Sequence, residues 1–305
     1  MSASRIIGAL AAVCAACVLP AFLFGAMALQ LRRDLRLDPT AIGLGFAIFY
    51  AVAALVSAPS GRITDRHDPV PVVRLAALIS AAASLIMAAF ARSLWIVAAC
   101  LAVAGAANAL CQTAANLVIA RALPEARQGF ALAVKQSAIP GGALLAGLAV
   151  PLFAVTFGWR WAFVAAAALV LVTAAYLPSA ARPGARAQRV QQKSVTGPDL
   201  PMRVMVLLTL AVGLAGTAAS GLGSFMVAAS VNAGLREGAA GLLLSVSSIA
   251  GIGVRLLAGA HVDRHGGAFR LVIAMLACGA AAFVALALGT QLAYLIGAPL
   301  AFCTT

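Results

Sequence analysis

The sequence predicts an all-α polytopic membrane protein, a bundle of helices solvated by lipid. Three observations predict it. Hydrophobic residues make up 64% of the 305 residues and charged residues only 10%, with mean hydropathy +1.05; a soluble domain carries about 25% charged residues. The apolar residues gather in runs of the length a helix needs to cross the hydrocarbon core, roughly 20 residues. The charged residues fall between those runs. The chain is long enough for roughly ten spans joined by short connections.

The first span covers about 6–29, after Arg5, with Pro20 as a tolerated kink. A cleaved signal peptide ending near Ala26-Met27-Ala28 is excluded by length, because a signal core has about 7–15 apolar residues. Arg32, Arg33, Asp34, Arg36 and Asp38 read as a polar loop, and a second span follows over about 40–59, with Pro39 at its start. Next comes a charged stretch, Gly61-Arg62-Ile63-Thr64-Asp65-Arg66-His67, read as a turn. A third span covers about 72–91 and a fourth about 94–118, parted only by Arg92-Ser93. Arg121, Glu125 and Arg127 separate the fourth from a fifth over about 128–155. Gly158-Trp159-Arg160-Trp161 marks an interface, where Trp is favoured at headgroup depth, and the sixth span covers about 160–178.

Residues 179–201 change character. Arg182, Pro183, Gly184, Arg186, Arg189, Gln191, Gln192 and Lys193 make a polar, basic linker that divides the chain six spans in. The seventh span is about 202–231, the eighth about 238–260 and the ninth about 268–288. A tenth begins near Gln291 and reaches only Thr305, shorter than a span needs, so the chain reads as cut off inside a helix. The expected units are thus 1–178, a linker over 179–201, and an incomplete second half over 202–305.

The charged stretch has a relative downstream, Gly259-Ala260-His261-Val262-Asp263-Arg264-His265. In both copies Gly precedes Asp-Arg-His by four residues, and apolar runs close in on each side. The same turn at matching places in two halves points to a duplicated bundle. With the N-terminus in the cytoplasm, the basic residues outside are Arg32, Arg33, Arg36, Arg92, Arg160 and Arg236, and the rest of the 21 fall inside. That asymmetry follows the positive-inside rule.

The net charge of +13 does not indicate a nucleic-acid partner, since the basic residues do not cluster with aromatics on a polar surface. Cys14, Cys17, Cys100, Cys111, Cys278 and Cys303 all lie in apolar runs. Cys14 and Cys17 stand one helical turn apart at C-x-x-C spacing, but no second pair or His completes the spacing of a zinc site, and they read as small buried thiols, so no metal or cofactor is expected. The spans contain neither His nor acid, which argues against an enzyme.

Six spans, a basic linker and further spans with a repeated Gly-x-x-x-Asp-Arg turn resemble the major facilitator superfamily. Gly61, Asp65 and Arg66 match its loop signature between the second and third helices. Gly259, Asp263, Arg264 and Gly266 match the degenerate copy between the eighth and ninth. Asp68 stands where the family has its second Gly, and Pro69-Val70 replaces the following basic pair. Lys135-Gln136-Ser137, Pro140-Gly141-Gly142 and Gly158-Trp159-Arg160-Trp161 are similar to runs in bacterial uptake members. The resemblance implies a major-facilitator-type bundle in a bacterial inner membrane, incomplete against a twelve-helix plan. It implies a secondary transporter that moves a small solute by alternating access, with Gly61, Asp65, Arg66, Gly259, Asp263 and Arg264 as a cytoplasmic latch on the outward-facing state. A monomer is expected, with a small-molecule substrate and the bilayer as partners. A membrane sensor or accessory protein that moves no solute is the alternative.

Several spans carry polar residues. Asn108, Gln112 and Asn116 recur every four residues along one face of the fourth. Buried amides are costly unless they face protein or water, so the strip lines a pathway or binds neighbouring helices. Lys135, with Gln136 beside it, lies roughly 12 Å along the fifth span from Arg127. It either meets an anionic substrate or snorkels to the interface. Arg255, about two turns before Asp263, reads as structural. Gly142 with Ala146, Ala143 with Gly147, and Gly213 with Thr217 have the small-xxx-small spacing of close helix packing, and Thr217, Ser220 and Ser224 lie where they can face the pathway. Proton coupling usually needs a carboxylate or His within the membrane, and none is in any span. Uniport, or anion uptake with Lys135 as counter-charge, fits the residues better.

Overall fold

The structure, a computed structural model, describes residues 3–123, 125–177, 202–265 and 268–304. The expected linker lies outside the described residues. A first set of helices comprises α1 (Ala3–Ala26), α2 (Ala28–Leu35), α3 (Pro39–Arg66), α4 (Pro69–Phe90), α5 (Leu94–Ala122), α6 (Glu125–Gln136), α7 (Ala138–Ala149) and α8 (Trp159–Ala175), with a π-helical turn over Val150–Ala154. A second set comprises α9 (Met202–Asn232), α10 (Glu237–His265), α11 (Ala268–Ala287) and α12 (Gln291–Thr304). Among the described residues, six segments are long and apolar enough to cross a membrane: Ser4–Ala26, Pro39–Arg66, Pro69–Phe90, Leu94–Ala122, Phe130–Ala154 and Glu237–Ala258.

Long-range hydrogen bonds fix which helix ends lie together. Arg160, in the first turn of α8, donates to the carbonyls of Ala88 and Ala91 at 2.7 and 3.0 Å. It thereby satisfies carbonyls that the end of α4 leaves unpaired, where a cation also suits the helix dipole. Its guanidinium lies 4.5 Å from the centre of the Trp159 ring, and the Trp159 indole donates to Asp34 at 2.8 Å. Asp34, the end of α4 and the start of α8 therefore share one end of the bundle. At the opposite end Arg74 of α4 donates to the carbonyl of Leu177, just past α8, at 2.7 Å. The Arg66–Pro69 connection belongs there too.

Small residues set the packing. Gly105 of α5 presses on the Phe49 carbonyl of α3, so closely that no side chain fits. Gly142 of α7 lies against Val18 and Phe22 of α1, and a Cβ there would meet Val18 at 2.7 Å. Lipid supplies little hydrophobic drive between helices, so close backbone approach supplies the attraction instead.

Two expected loops are helix. Residues 28–35, read as polar loop from Arg32 onward, form α2. Arg32 and Arg33 sit in its last turn, where cations suit the carbonyl end, and Arg36 ends it in the left-handed conformation with φ 52°. The charged stretch at Gly61–Arg66 is not a turn either, because α3 continues through it. Thr64 donates to the Ser60 carbonyl at 2.6 Å, and the His67 ring bonds the Ile63 carbonyl at 2.8 Å. Only His67 and Asp68 connect α3 to α4. Asp68 caps α4 by accepting from the Val70 amide at 3.1 Å, and Pro69 occupies the first turn. Gly61 serves no close approach, since a Cβ there would meet nothing within 4 Å.

The fifth span is divided into α6, α7 and the π-helical turn. Helical bonding continues across Ser137, which donates to Ala133 at 3.1 Å and accepts from Gly141 at 3.0 Å. Pro140 supplies no donor for the Gln136 carbonyl and crowds it. The discontinuity falls beside Lys135 and Gln136.

Candidate functional site

The contacts described between the two sets gather in the half of the bundle nearer Asp34. Gly25 of α1 rests directly on the Ser224 carbonyl of α9, and a Cβ on Gly223 would meet Phe22 at 2.8 Å. The rings of Phe46 and Phe225 stand edge-on, 5.0 Å apart. Near mid-helix, Tyr50 of α3 and Ser220 of α9 face one cavity. Arg33 and Glu237 form an ion pair across the sets at 3.8 Å. A Cβ on Gly147 of α7 would stand 2.5 Å from the Gly241 carbonyl of α10, and Ser245 donates to the Leu144 carbonyl at 3.0 Å. Toward the opposite end, Val206, Leu207, Leu210 and Leu214 of α9 are exposed. Among the described residues, the close contacts between the sets lie toward the Asp34 end, and the part of α9 nearer the Arg66 end is exposed.

The polar strip of α5 runs from the closed half toward the open end. Asn108 is buried, Gln112 half-buried and Asn116 exposed. Gln112 reaches Asn108 with a long 3.5 Å contact. The strip thus emerges where the sets diverge.

Lys135 does not reach for the interface. It is 3% exposed, and its ammonium donates to the Gln136 side-chain oxygen at 3.2 Å. It lies near Cys14 and Cys111, whose sulfurs are 3.8 Å apart. No described carboxylate pairs with it. Gln136, next along the helix, is exposed. Lys135 therefore lies behind Gln136, against α1 and α5, and Gln136 faces outward.

A separate cavity of about 410 Å³ opens between α3 and α9, lined by Phe46, Tyr50, Thr217, Ser220, Ser224 and Phe225. Thr217 and Ser220 do reach open space, while Ser224 is buried. Tyr50 was not legible as a site residue. The available signal was its place as a lone phenol within a long apolar run.

Of the expected latch, Asp65 and Arg66 are exposed and Gly61 half-exposed. Among the described residues neither Asp65 nor Arg66 joins an ion pair. Gly259, Asp263 and Arg264 ride on the last turns of α10, and their side chains lie outside those described. The carboxylates with described side chains, Asp34, Asp38, Asp65, Asp68 and Glu237, all sit at helix ends or connections. The ion pair at Arg33 and Glu237 also went unread in the sequence, because Arg33 looked like a topology charge.

This architecture defines a class: a polytopic helical membrane bundle in two sets whose described close contacts lie toward one end. The chain belongs to the Major Facilitator Superfamily, whose family model matches residues 7–305, and the family is one of secondary transporters. Among solved structures, it is similar to a bacterial homologue of the human lysosomal transporter Spinster, in an inward-facing and occupied conformation. That likeness has TM-score 0.67 and 18% identity, over 99% of this chain and 72% of that one. A D-xylose-proton symporter gives 0.65 and 15% over 100% and 80% of the two chains. The xylose transporter XylE from E. coli, in a partially occluded inward-open conformation, gives 0.68 and 13% over 98% and 81%. At these identities the likeness is one of fold. No curated protein matches the chain by sequence.

Proposed function

We propose that the chain carries a small anion across the membrane by alternating access, with 1–178 and 202–305 as the two moving halves. In this reading the N-terminus and the Arg66 end are cytoplasmic, and the structure is the inward-open state. The observation that carries the reading is the one-ended closure. Glycine-to-carbonyl contacts and the Arg33–Glu237 pair seal the Asp34 end, while the polar strip of α5 emerges toward the open one. A site near the middle, reached from one side at a time, is what alternating access requires.

The proposed latch fits the same state. Asp65 and Arg66 stand exposed because the cytoplasmic ends are apart, and they gain partners only when those ends meet. Asn108, Gln112, Asn116, Lys135 and Gln136 serve as the substrate-binding residues of the first half, with Lys135 behind Gln136 as counter-charge. Anion selectivity follows from charge. A buried ammonium with no carboxylate partner among the described residues favours a negatively charged ligand, since unpaired charge within the bilayer is costly.

Purified protein in liposomes tests this. Saturable uptake of a small organic or inorganic anion is expected, and Lys135→Ala reduces it. Wild-type liposomes that take up no tested solute faster than protein-free ones would remove transport from the reading. Undiminished anion uptake by Lys135→Ala would remove its anion site.

A further inference from the structure

Arg255 has no role in the reading so far, and its position is unusual. It lies in α10, about ten residues and therefore roughly 15 Å from the helix end at His265. It is half-buried, and no described side chain or carbonyl pairs with it.

The register between α7 and α10 locates it. A Cβ on Gly238 would stand 3.8 Å from Pro151, Gly241 meets Gly147, and Ser245 bonds Leu144. In each pair the residue numbers total 388 or 389, so the helices run antiparallel without slippage. Continued along the fifth span, that register sets Arg255 level with residues 133–134, within a turn of Lys135 and Gln136. The helical bonds across Ser137 keep the count valid there.

The face is fixed as well. On α10, Gly238, Gly241 and Ser245 meet the fifth span, and Gly251 meets the Phe302 carbonyl of α12. At about 100° per residue, Arg255 lies between these two lines, roughly 70° from the first and 40° from the second. Leu242, Val246, Ile249 and Leu257 occupy the opposite, exposed face. Arg255 therefore points inward. By the same count Gln136 shares the side of its helix that bears Leu144 and Gly147, the side turned to α10.

We propose that Arg255 and the Lys135–Gln136 pair are the facing walls of one anion site, built for a small carboxylate or oxyanion carrying up to two negative charges. The inference deepens the transporter reading and rests on it. Arg255 supplies a planar fork that takes two oxygens at once. Gln136 supplies an amide donor, and Lys135 behind it holds the amide by its oxygen and adds a second positive charge. Two cations with no described interior carboxylate leave a charge that a dianion neutralises. Arg255 stands on the second half and Gln136 on the first, so a ligand held by both draws the parted ends together.

The test is stabilisation of purified, detergent-solubilised full chain, followed by tryptophan fluorescence, with acetate, succinate, sulfate, phosphate, choline and xylose as probes. At least one anion raises the melting temperature of wild type, with a dianion ahead of acetate, and choline and xylose do not. Arg255→Gln weakens the apparent Kd for that anion at least tenfold. Arg255→Lys recovers part of the loss, and Arg92→Gln, at an exposed connection, changes nothing. Circular dichroism checks that each variant is folded. Should Arg255→Gln not fold, the comparison of Arg255→Lys with wild type carries the test, with a loss of threefold or more expected. An unchanged Kd in a folded Arg255 variant overturns the proposal, as does stabilisation by no anion or by the neutral or cationic probe alone. Transport is read separately in liposomes. Saturable uptake with no dependence on Arg255 sinks this site and leaves the transporter reading standing, whereas anion binding without uptake of any probe sinks that reading and leaves the site.

Discussion

Gly147→Val tests the closed end directly. A Cβ at Gly147 would stand 2.5 Å from the Gly241 carbonyl, 2.5 Å from the Ser245 hydroxyl and 2.9 Å from the Ser245 amide nitrogen. Two of these atoms are backbone, so no rotamer change relieves them. Ordinary contact between such atoms begins near 3.5 Å, so the helices must part by about 1 Å, enough to forfeit a quarter to a half of the local dispersion energy. The hydroxyl bond from Ser245 to Leu144 stretches with them. Overpacking of this kind costs about 1–3 kcal/mol. The cost falls only on the state closed at the Asp34 end, so it acts as a shift of the conformational equilibrium by roughly 5- to 150-fold. Spin labels near residues 33 and 237 read that shift as a longer distance between the halves. The variant is expected to populate the long distance in membranes, and to lose the form closed at the Asp34 end without losing helix content. An unaltered distance distribution in a folded Gly147→Val protein would show that α7 and α10 do not seal this end.

Other perturbations bear on separate parts of the account. Glu237→Gln removes the 3.8 Å pair with Arg33. Because Arg33 is largely exposed, the loss is about 0.2–1 kcal/mol, seen as a rise of the same long distance by about 1.4- to 5-fold. Trp159→Phe deletes the donor to Asp34 and should lower stability in detergent by about 1–2 kcal/mol, read as a drop in melting temperature. Arg36→Gly relieves a left-handed backbone at the end of α2, and about 1 kcal/mol of added stability is expected in the same assay. Asp65→Asn leaves the melting temperature of the protein unchanged, because no described side chain pairs with Asp65, yet it slows uptake if the proposed latch acts in the opposite state.

Most span positions were legible because composition and hydropathy depend on the chain alone. What the sequence hid came from two physical causes. First, polarity does not end a helix. Arg62, Thr64, Asp65 and Arg66 looked like a loop, but α3 projects past the apolar zone, where backbone bonds still form and side chains meet water. The same holds for Arg32 and Arg33 in α2. Second, the site depends on register between segments about a hundred residues apart. Lys135 and Gln136 stood out locally, and their surroundings are set by α1 and α5. Arg255 reads as structural from its own surroundings, and nothing nearby in sequence points to the place level with Gln136 that is proposed for it. That follows only from glycines at 147 and 241 touching backbone to backbone.

The charge arrangement also bears on how an anion carrier of this kind would run. In the proposed cycle, closing the Arg66 end would carry Lys135 and Arg255 into a drier cleft with no described interior carboxylate to answer them. Each unpaired cation at membrane depth costs about 2.5–3.5 kcal/mol on insertion scales. The empty protein bears that cost at closure. The loaded protein bears much less, because the anion neutralises the site. The return of the empty carrier should then be the slow step, and exchange of anion for anion should outpace net uptake by tenfold or more, since about 1.4 kcal/mol of residual penalty already gives that ratio. Preloading liposomes with unlabelled anion measures it, as the rate of labelled uptake with and without internal substrate. Arg255→Gln should narrow the gap by lightening the empty site, even as it weakens binding. Equal rates of exchange and net uptake in wild type would mean that the empty cleft closes freely, and that Lys135 and Arg255 are answered by a charge or by water within it.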